Sequence, residues 1–261
     1  MSAQPDLPWR PAASVIPLEP GQVHLWRVDI DRPGEDPADL RQRLSNDERE
    51  RAARFYFDVD RGRYIVAHAV LRVLIARYQK IPEYRDTFDL GPHGKPSLGA
   101  GAGVHFNLAH SRGLGLVALA AESSIGVDLE AIDHSAEIDT VAERFFSPGE
   151  CSALRGLGPE RRREGFFHIW SQKEAYLKGR GEGVVHGLDH FEVVADPREG
   201  AGLLSDRRDP LATLYWKLLP LAPAGGFRGA LAVEGGTAAV HHYEWPSGAP
   251  SALALPGRPV S

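Results

Sequence analysis

The chain has 261 residues, of which 43% are hydrophobic and 25% charged, so it can bury a core and is not compositionally disordered. Its formal net charge of -5 argues against a general nucleic-acid binder. The single cysteine, Cys151, excludes an intrachain disulfide framework and a Cys-rich zinc site. No apolar run approaches the roughly 20 residues of a transmembrane helix, and no export signal is evident, so we expect a cytoplasmic protein without a membrane partner.

Both ends of the chain are rich in proline, which blocks regular helix. We therefore predict an extended arm over residues 1–22 and a similar tail over 246–261. Between them, a weak internal repeat divides the chain into halves at 23–124 and 125–245. Each half has a serine-led helix start, a long amphipathic helix and a later strand of small residues. The separation of the two copies is domain-sized, too long for a solenoid repeat. Two unrelated α/β stretches remain the alternative.

The serine-led starts carry the capping-box spacing. Glu48 stands three residues after Ser45, and Glu150 three residues after Ser147. Apolar residues at steps of three and four predict a long helix over about 60–80, and a second long helix is expected over about 162–178. Strands are predicted at 26–30, 116–121, 125–130 and 229–233. The three residues between the second and third of these predict a hairpin.

The strand at 125–130 carries two acids on one face. Gly126, Asp128 and Glu130 alternate with apolar residues. Carboxylates two residues apart repel each other unless a positive charge lies between them, and Mg²⁺ would supply it. Gly126 would leave room for a ligand on the same face. A solvated polar face of an edge strand is the alternative.

The predicted second long helix places Glu174 and Lys178 four residues apart on one face, just before a glycine-rich end. A surface salt bridge followed by a helix cap would explain the same pattern. The chain contains far fewer lysines than arginines, however, so a lysine here indicates a position that favours a compact ammonium group over a guanidinium group.

Three further motifs could contact phosphate groups. The turn 94–96 is rigid and presents a lysine, although ordinary surface turns look the same. His110 could donate to a phosphate or be a hydrogen-bonded core residue. Arg51 and Arg54 lie on one helix face and could clamp a phosphate, or could belong to a solvated charged face. The chain has no P-loop, no dinucleotide-binding glycine motif and no G-x-S-x-G elbow.

Taken in order, these segments resemble the 4′-phosphopantetheinyl transferases of the larger, surfactin-synthetase-activating type. The matching segments are Arg51 to Phe55, Gly94 to Pro96, Phe106 to Ser111, Gly126 to Glu130, Arg144 to Ser147 and Trp170 to Lys178. The resemblance implies an α+β fold of two similar α/β halves related by a pseudo-twofold axis. It further implies a monomer with a coenzyme A cleft between the halves. The implied reaction moves the 4′-phosphopantetheine of coenzyme A onto a serine of an apo acyl or peptidyl carrier protein and releases 3′,5′-ADP.

The resemblance also implies a role for each matching residue. Asp128, Glu130 and Glu174 would hold Mg²⁺, although some relatives lack an acid at the position of Glu130. Asp128, Glu174 and Lys178 would be the catalytic residues. The residues that would bind coenzyme A, together with Lys178, are Arg51, Arg54, Gly94, Lys95, Pro96, His110 and Ser111.

Two points stay open at the level of sequence. Glu174, a metal-held water or Glu150 could take the serine proton. Ala109 stands where many relatives have a hydroxyl residue, which removes one hydrogen bond to the coenzyme. Two rival functions are a non-catalytic module that binds coenzyme A or a carrier, and a metal-dependent hydrolase of the coenzyme A diphosphate.

Overall fold

The computed structural model describes residues 9–12, 17–99, 101–183, 187–235 and 239–246. Most of the predicted arm and tail therefore lie outside the described residues. The helices of the described residues are α1 (Pro37–Leu40), α2 (Asn46–Ala53), α3 (Asp58–Tyr78), α4 (Ile138–Phe145), α5 (Pro148–Gly156), α6 (Pro159–Arg180) and α7 (Ala212–Tyr215). Short 3-10 helices span Arg41–Arg43 and Pro197–Glu199. No helix among the described residues combines the length and apolar character needed to cross a bilayer.

The strands of the described residues are β1 (Arg10–Pro11), β2 (Gln22–Asp29), β3 (Asp89–Leu90), β4 (Pro96–Ser97), β5 (His105–Ser111), β6 (Leu114–Ala120), β7 (Ile125–Ala131), β8 (Phe191–Val193), β9 (Leu203–Asp206), β10 (Trp216–Leu221), β11 (Phe227–Glu234) and β12 (Ala239–Glu244). The chain is thus a mixture of helices and sheets, as the sequence predicts. It divides into two compact units. The N-terminal unit contains the described residues of 8–89, 96–122 and 239–261. The C-terminal unit contains those of 90–95 and 123–238.

The N-terminal unit is a five-stranded sheet with α3 packed into its core. The strand order is β1-β12-β2-β6-β5, in which β12 lies parallel to β2 and the pairs β2–β6 and β6–β5 are antiparallel. The hydrophobic face of α3 supplies Leu71, Leu74 and Ile75, which are buried with Trp26 and Val117 from the sheet. The predicted long helix is confirmed, beginning two residues earlier than expected.

The C-terminal unit is a three-stranded antiparallel sheet, in the order β10-β11-β7, covered by α6. A two-stranded sheet of β8 and β9 is also present. The core combines helix residues such as Ile169 and Tyr176 with Ala230 and Trp216 of the sheet. The second predicted helix is confirmed and is longer than expected, because Pro159 occupies its first position and Gly181, with φ of 71°, ends it.

Two expectations differ from the structure. The predicted hairpin is wrong, since β6 pairs with β2 and β5 whereas β7 pairs with β11. The sequence places residues 239–245 in the C-terminal half, but β12 pairs with β2 of the N-terminal unit. Both differences concern which strands pair over long separations, which local pattern does not determine. The pseudo-twofold relation and the cleft stay predictions.

The capping boxes reveal the same construction in both units. Glu150 accepts a hydrogen bond from the backbone N–H of Ser147, and the Ser147 hydroxyl accepts one from Glu150. Glu150 also pairs with Lys173 of α6 at 2.9 Å, and the Lys173 ammonium donates to two backbone carbonyls beyond the helix. In the N-terminal unit Glu48 pairs with Arg72 of α3, whose guanidinium likewise donates to two later carbonyls. Each unit therefore joins its capping glutamate to its long helix by a buried ion pair.

Candidate functional site

Helix α6 and strand β7 approach each other closely at Gly126. A Cβ placed on Gly126 would lie 2.1 Å from the carbonyl oxygen of Ala175 and 2.2 Å from the backbone nitrogen of Gly179. The face of β7 that carries Gly126 and Asp128 is thus in contact with the helix. The expectation that Gly126 leaves room for a ligand is wrong at this residue, because the backbone of α6 fills that space.

This close packing brings Lys178 of α6 to Asp128 of β7. The Lys178 ammonium donates a hydrogen bond of 2.6 Å to Oδ1 of Asp128. Asp128 is buried, with 5% of its side chain exposed, whereas Lys178 keeps 33% exposed. Burial lowers the pKa of Lys178, but the attraction of Asp128, Glu174 and Glu130 outweighs it and raises the pKa overall. Lys178 is therefore a fixed positive charge at neutral pH.

Glu174 lies one helical turn before Lys178, half-buried on α6. Burial raises its pKa, the negative charge of Asp128 raises it further, and the Lys178 ammonium opposes the rise. A carboxylate in this position accepts a proton more readily than an ordinary surface glutamate. The structure thus brings Lys178 into contact with Asp128 and places Glu174 one helical turn away on α6.

Oδ2, the second carboxylate oxygen of Asp128, is a candidate ligand for the predicted metal ion. Oδ2 is buried and has no hydrogen-bond partner among the described residues. A buried carboxylate oxygen without a partner is costly, and a hard cation would satisfy it. Within the described ranges, however, no three His, Cys, Asp or Glu side chains are already gathered closely enough to form a metal centre. The donor chemistry fits Mg²⁺, and Asp128 is the best-placed ligand.

Glu130, the third predicted acid, lies near the end of β7 and is half-buried. It stands opposite Arg228 of β11 in the strand register, and Arg228 is hydrogen-bonded to Glu164 of α6. Its charge contributes to the raised pKa of Lys178, although less than that of Asp128 or Glu174. Glu130 thus belongs to the same electrostatic group.

The turn that carries Lys95 has a structural role that the sequence does not indicate. Gly94 adopts φ of 83°, and the backbone N–H of Gly91 donates to the carbonyl of Lys95. The Lys95 ammonium donates to the carbonyl of Gly179 at 2.7 Å and to that of Ile125 at 3.0 Å. Burial lowers the pKa of Lys95 to about 8, and Glu234 opposes this effect. Lys95 thereby fastens the end of α6 to the start of β7.

Other predicted coenzyme-binding residues belong to the N-terminal unit. Arg51 and Arg54 are exposed at the end of α2, and the guanidinium of Arg51 lies 5.7 Å from the ring centre of Tyr64. His110 is exposed on β5, so its alternative interpretation as a core histidine is wrong. Ser111 ends the same strand and is half-buried. Among the remaining positions, Pro96 begins β4 and Ala109 is buried.

Glu150, considered as a base, is already engaged. One of its oxygens accepts from the N–H of Ser147 and the other from the N–H of Val193, and Lys173 pairs with it. Sequence reasoning missed that Lys173 is completely buried. Its neighbours in the sequence give no signal of this, because the partner carbonyls come from Leu188 and Phe191.

A buried aspartate, a lysine fixed against it and a glutamate of raised pKa form a charged group of the kind often found at functional sites. The comparisons with known proteins agree. A family model described as the 4′-phosphopantetheinyl transferase superfamily matches residues 124–232. The 4′-phosphopantetheinyl transferase HetI of Nostoc sp. is 37% identical over 230 residues, covering 87% of this chain and 94% of the relative.

A second relative, the 4′-phosphopantetheinyl transferase Sfp of Bacillus subtilis, is 31% identical over 174 residues, covering 66% of this chain and 76% of the relative. A holo-(acyl-carrier-protein) synthase from Bacillus anthracis, solved in complex with CoA (3′,5′-ADP), aligns at a TM-score of 0.36 with 24% identity, over 43% of this chain and 95% of that one. The chain belongs to the 4′-phosphopantetheinyl transferase superfamily, a family of enzymes, and the predicted resemblance is confirmed.

Proposed function

We propose that this enzyme transfers the 4′-phosphopantetheine of coenzyme A to a serine of an apo acyl or peptidyl carrier protein, with Mg²⁺, and releases 3′,5′-ADP. Family membership supports the reaction class. The observation that carries the proposal for this chain is the contact between Lys178 and Asp128 beside Glu174. We also propose that the protein acts as a monomer in the cytoplasm.

Asp128, Glu174 and Glu130 would hold the Mg²⁺. The unpartnered Oδ2 of Asp128 supports this assignment, because it has a lone pair that no described group uses. When bound, the ion would neutralise negative charge on the diphosphate of the coenzyme. Lys178 supplies a second positive charge at the same place, held by its bond to Oδ1 of Asp128.

The proposed step is a substitution at phosphorus. The serine oxygen of the carrier bonds to the phosphorus that bears the pantetheine, and the bond from that phosphorus to the oxygen bridging to 3′,5′-ADP breaks. The serine proton would pass to the Glu174 carboxylate, which lies one helical turn from Lys178. The leaving diphosphate oxygen gains negative charge, and the Lys178 ammonium stabilises it.

The predicted coenzyme-binding residues would each contact part of the coenzyme. Arg51 and Arg54 are exposed cations suited to a phosphate monoester, since guanidinium groups bind phosphate oxygens in pairs. His110 and Ser111 would donate to phosphate oxygens. The Gly94, Lys95 and Pro96 turn would lie beside the adenine, with the Lys95 ammonium committed to two carbonyls and acting through the position of the turn.

Mass spectrometry of an apo carrier tests the proposal. Incubation with enzyme, coenzyme A and Mg²⁺ should add one phosphopantetheine to the carrier, and a panel of acyl and peptidyl carriers should define the preferred partner. Asp128→Asn should lower the rate at least 100-fold while the protein stays folded, whereas Asp139→Asn, at an exposed acid paired with Arg162, should not. No mass change on any carrier would refute transfer. Release of 3′,5′-ADP without a carrier would indicate a hydrolase instead.

A further inference from the structure

A small cavity in the N-terminal unit is surrounded by arginines. It has a volume of about 30 Å³ and is lined by Arg43, Arg72, Arg77, Glu83 and Tyr84, with three apolar residues. Arg43 ends the 3-10 helix before α2, while Arg72 and Arg77 project from α3. The other two polar residues follow α3 in the chain. Three cations from two elements thus meet around one space, and none of them is among the residues assigned to the coenzyme.

Arg72, one of the lining residues, has an unsatisfied donor. The residue is 1% exposed, and its guanidinium bonds Glu48 through Nε and two backbone carbonyls through Nη1. Its Nη2 is buried and has no hydrogen-bond partner among the described residues. A buried guanidinium nitrogen without an acceptor is unfavourable by the full cost of its desolvation. An acceptor supplied from outside the protein would remove that cost.

The charge around the cavity is also unbalanced. The side chain of Arg77 makes no hydrogen bond or ion pair with the described residues, and burial and then the positive charge of Arg43 lower its pKa. Among the described residues, the Arg43 side chain has one loose ionic contact, at 3.8 Å, with Glu35. The one acid of the lining, Glu83, is paired with Arg85 at 2.8 Å. The lining therefore keeps about one uncompensated positive charge.

We propose that this cavity binds a small oxyanion, phosphate or sulfate. The volume admits one or two oxygen atoms, so the anion would enter partly and leave its remaining oxygens at the open side. Guanidinium groups suit such an anion because they donate in pairs to its oxygens. The bound anion would accept from Arg72 and bring Arg43 and Arg77 together. Through the pairing of Arg72 with Glu48 it would also strengthen the attachment of α2.

Thermal unfolding in inorganic phosphate, with ionic strength held constant by chloride, tests this inference. The background is the Arg51→Gln/Arg54→Gln variant, which removes the arginines assigned to the coenzyme phosphates. In that background phosphate should raise the unfolding temperature in a saturable way. Adding Arg77→Gln should abolish the rise. Adding Arg32→Gln, which removes an exposed arginine elsewhere in the same unit, should leave the rise unchanged.

Arg43→Gln provides a second test, because Arg43 has 36% of its side chain exposed and its loss should not unfold the protein. It should reduce the phosphate-dependent rise, and an undiminished rise would overturn the assignment of Arg43 to the site. The proposal is overturned if the rise is the same with and without Arg77→Gln, or if the Arg32→Gln control loses as much. It is also overturned if phosphate gives no rise in the background variant. None of these results depends on transferase activity.

Discussion

Replacing Gly126 by alanine should separate α6 from β7. The added Cβ would lie 2.1 Å from a backbone oxygen of the helix, and ordinary contact begins at 3.4 Å, so the helix must move by roughly 1.3 Å. Both clashing neighbours, Ala175 and Gly179, meet the methyl group with backbone atoms, which cannot rotate away. A shift of that size carries Lys178 from 2.6 Å to beyond hydrogen-bonding distance of Asp128.

The expected cost of Gly126→Ala is about 3 kcal/mol, the upper part of the range for overpacking. At ~2–4 °C per kcal/mol for a protein of this size, the unfolding temperature should fall by about 6–12 °C. The transfer rate per folded molecule should fall about 100-fold, because the site moves by an ångström. Calorimetry and the carrier mass assay measure these effects. Gly156→Ala, where a Cβ meets nothing within 4 Å, is the control. A Gly126→Ala protein with native stability and rate would refute the packing argument.

Two further predictions follow from buried charges. Lys95→Met should lower the unfolding temperature, because it leaves two backbone carbonyls without a donor at a cost of about 1–3 kcal/mol each. An unchanged unfolding temperature with a tenfold higher KM for coenzyme A would contradict this and would assign the ammonium to the coenzyme. Burial opposes ionisation of Glu48, but hydrogen bonds from His68 and Arg72 outweigh it and lower its pKa to about 2. Stability from this lowered pKa is complete above pH 4.5 and lost as the pH falls towards 2, about 3 kcal/mol in all. Urea unfolding should show a weaker acid dependence for Glu48→Gln, and equal slopes would contradict the assignment.

The long helices and their starts could be predicted because their signals are local. The spacing from Ser147 to Glu150, with proline at the first helical position, sets where α5 begins without reference to the rest of the chain. Strand partners could not be predicted in this way. The short link before Ile125 favours a hairpin, yet β7 pairs with β11 about 100 residues later in the chain.

The same distinction between local and long-range signals applies to the candidate site. The alternation of β7 places Gly126, Asp128 and Glu130 on one face. Helical spacing places Glu174 beside Lys178. Each of these two sets can therefore be predicted from the sequence. That the two sets meet depends on the contact between helix and strand, which Gly126 permits. The hydrogen bond from Lys95 to Gly179 and the burial of Lys173 depend on carbonyl groups far away in the sequence. They therefore could not be predicted from local sequence patterns.

The two capping ion pairs constrain how this sequence can change over generations. Losing one member of such a pair strands a charge in the interior at about 3–5 kcal/mol, whereas exchanging both for apolar residues can be neutral. Any single substitution that removes the charge of one partner is therefore costly. This applies to the pair of Glu150 with Lys173 and to the pair of Glu48 with Arg72. We therefore expect these positions to change only in pairs, whereas surface positions can change singly. One pair uses an ammonium and the other a guanidinium, so either cation can balance a buried capping glutamate.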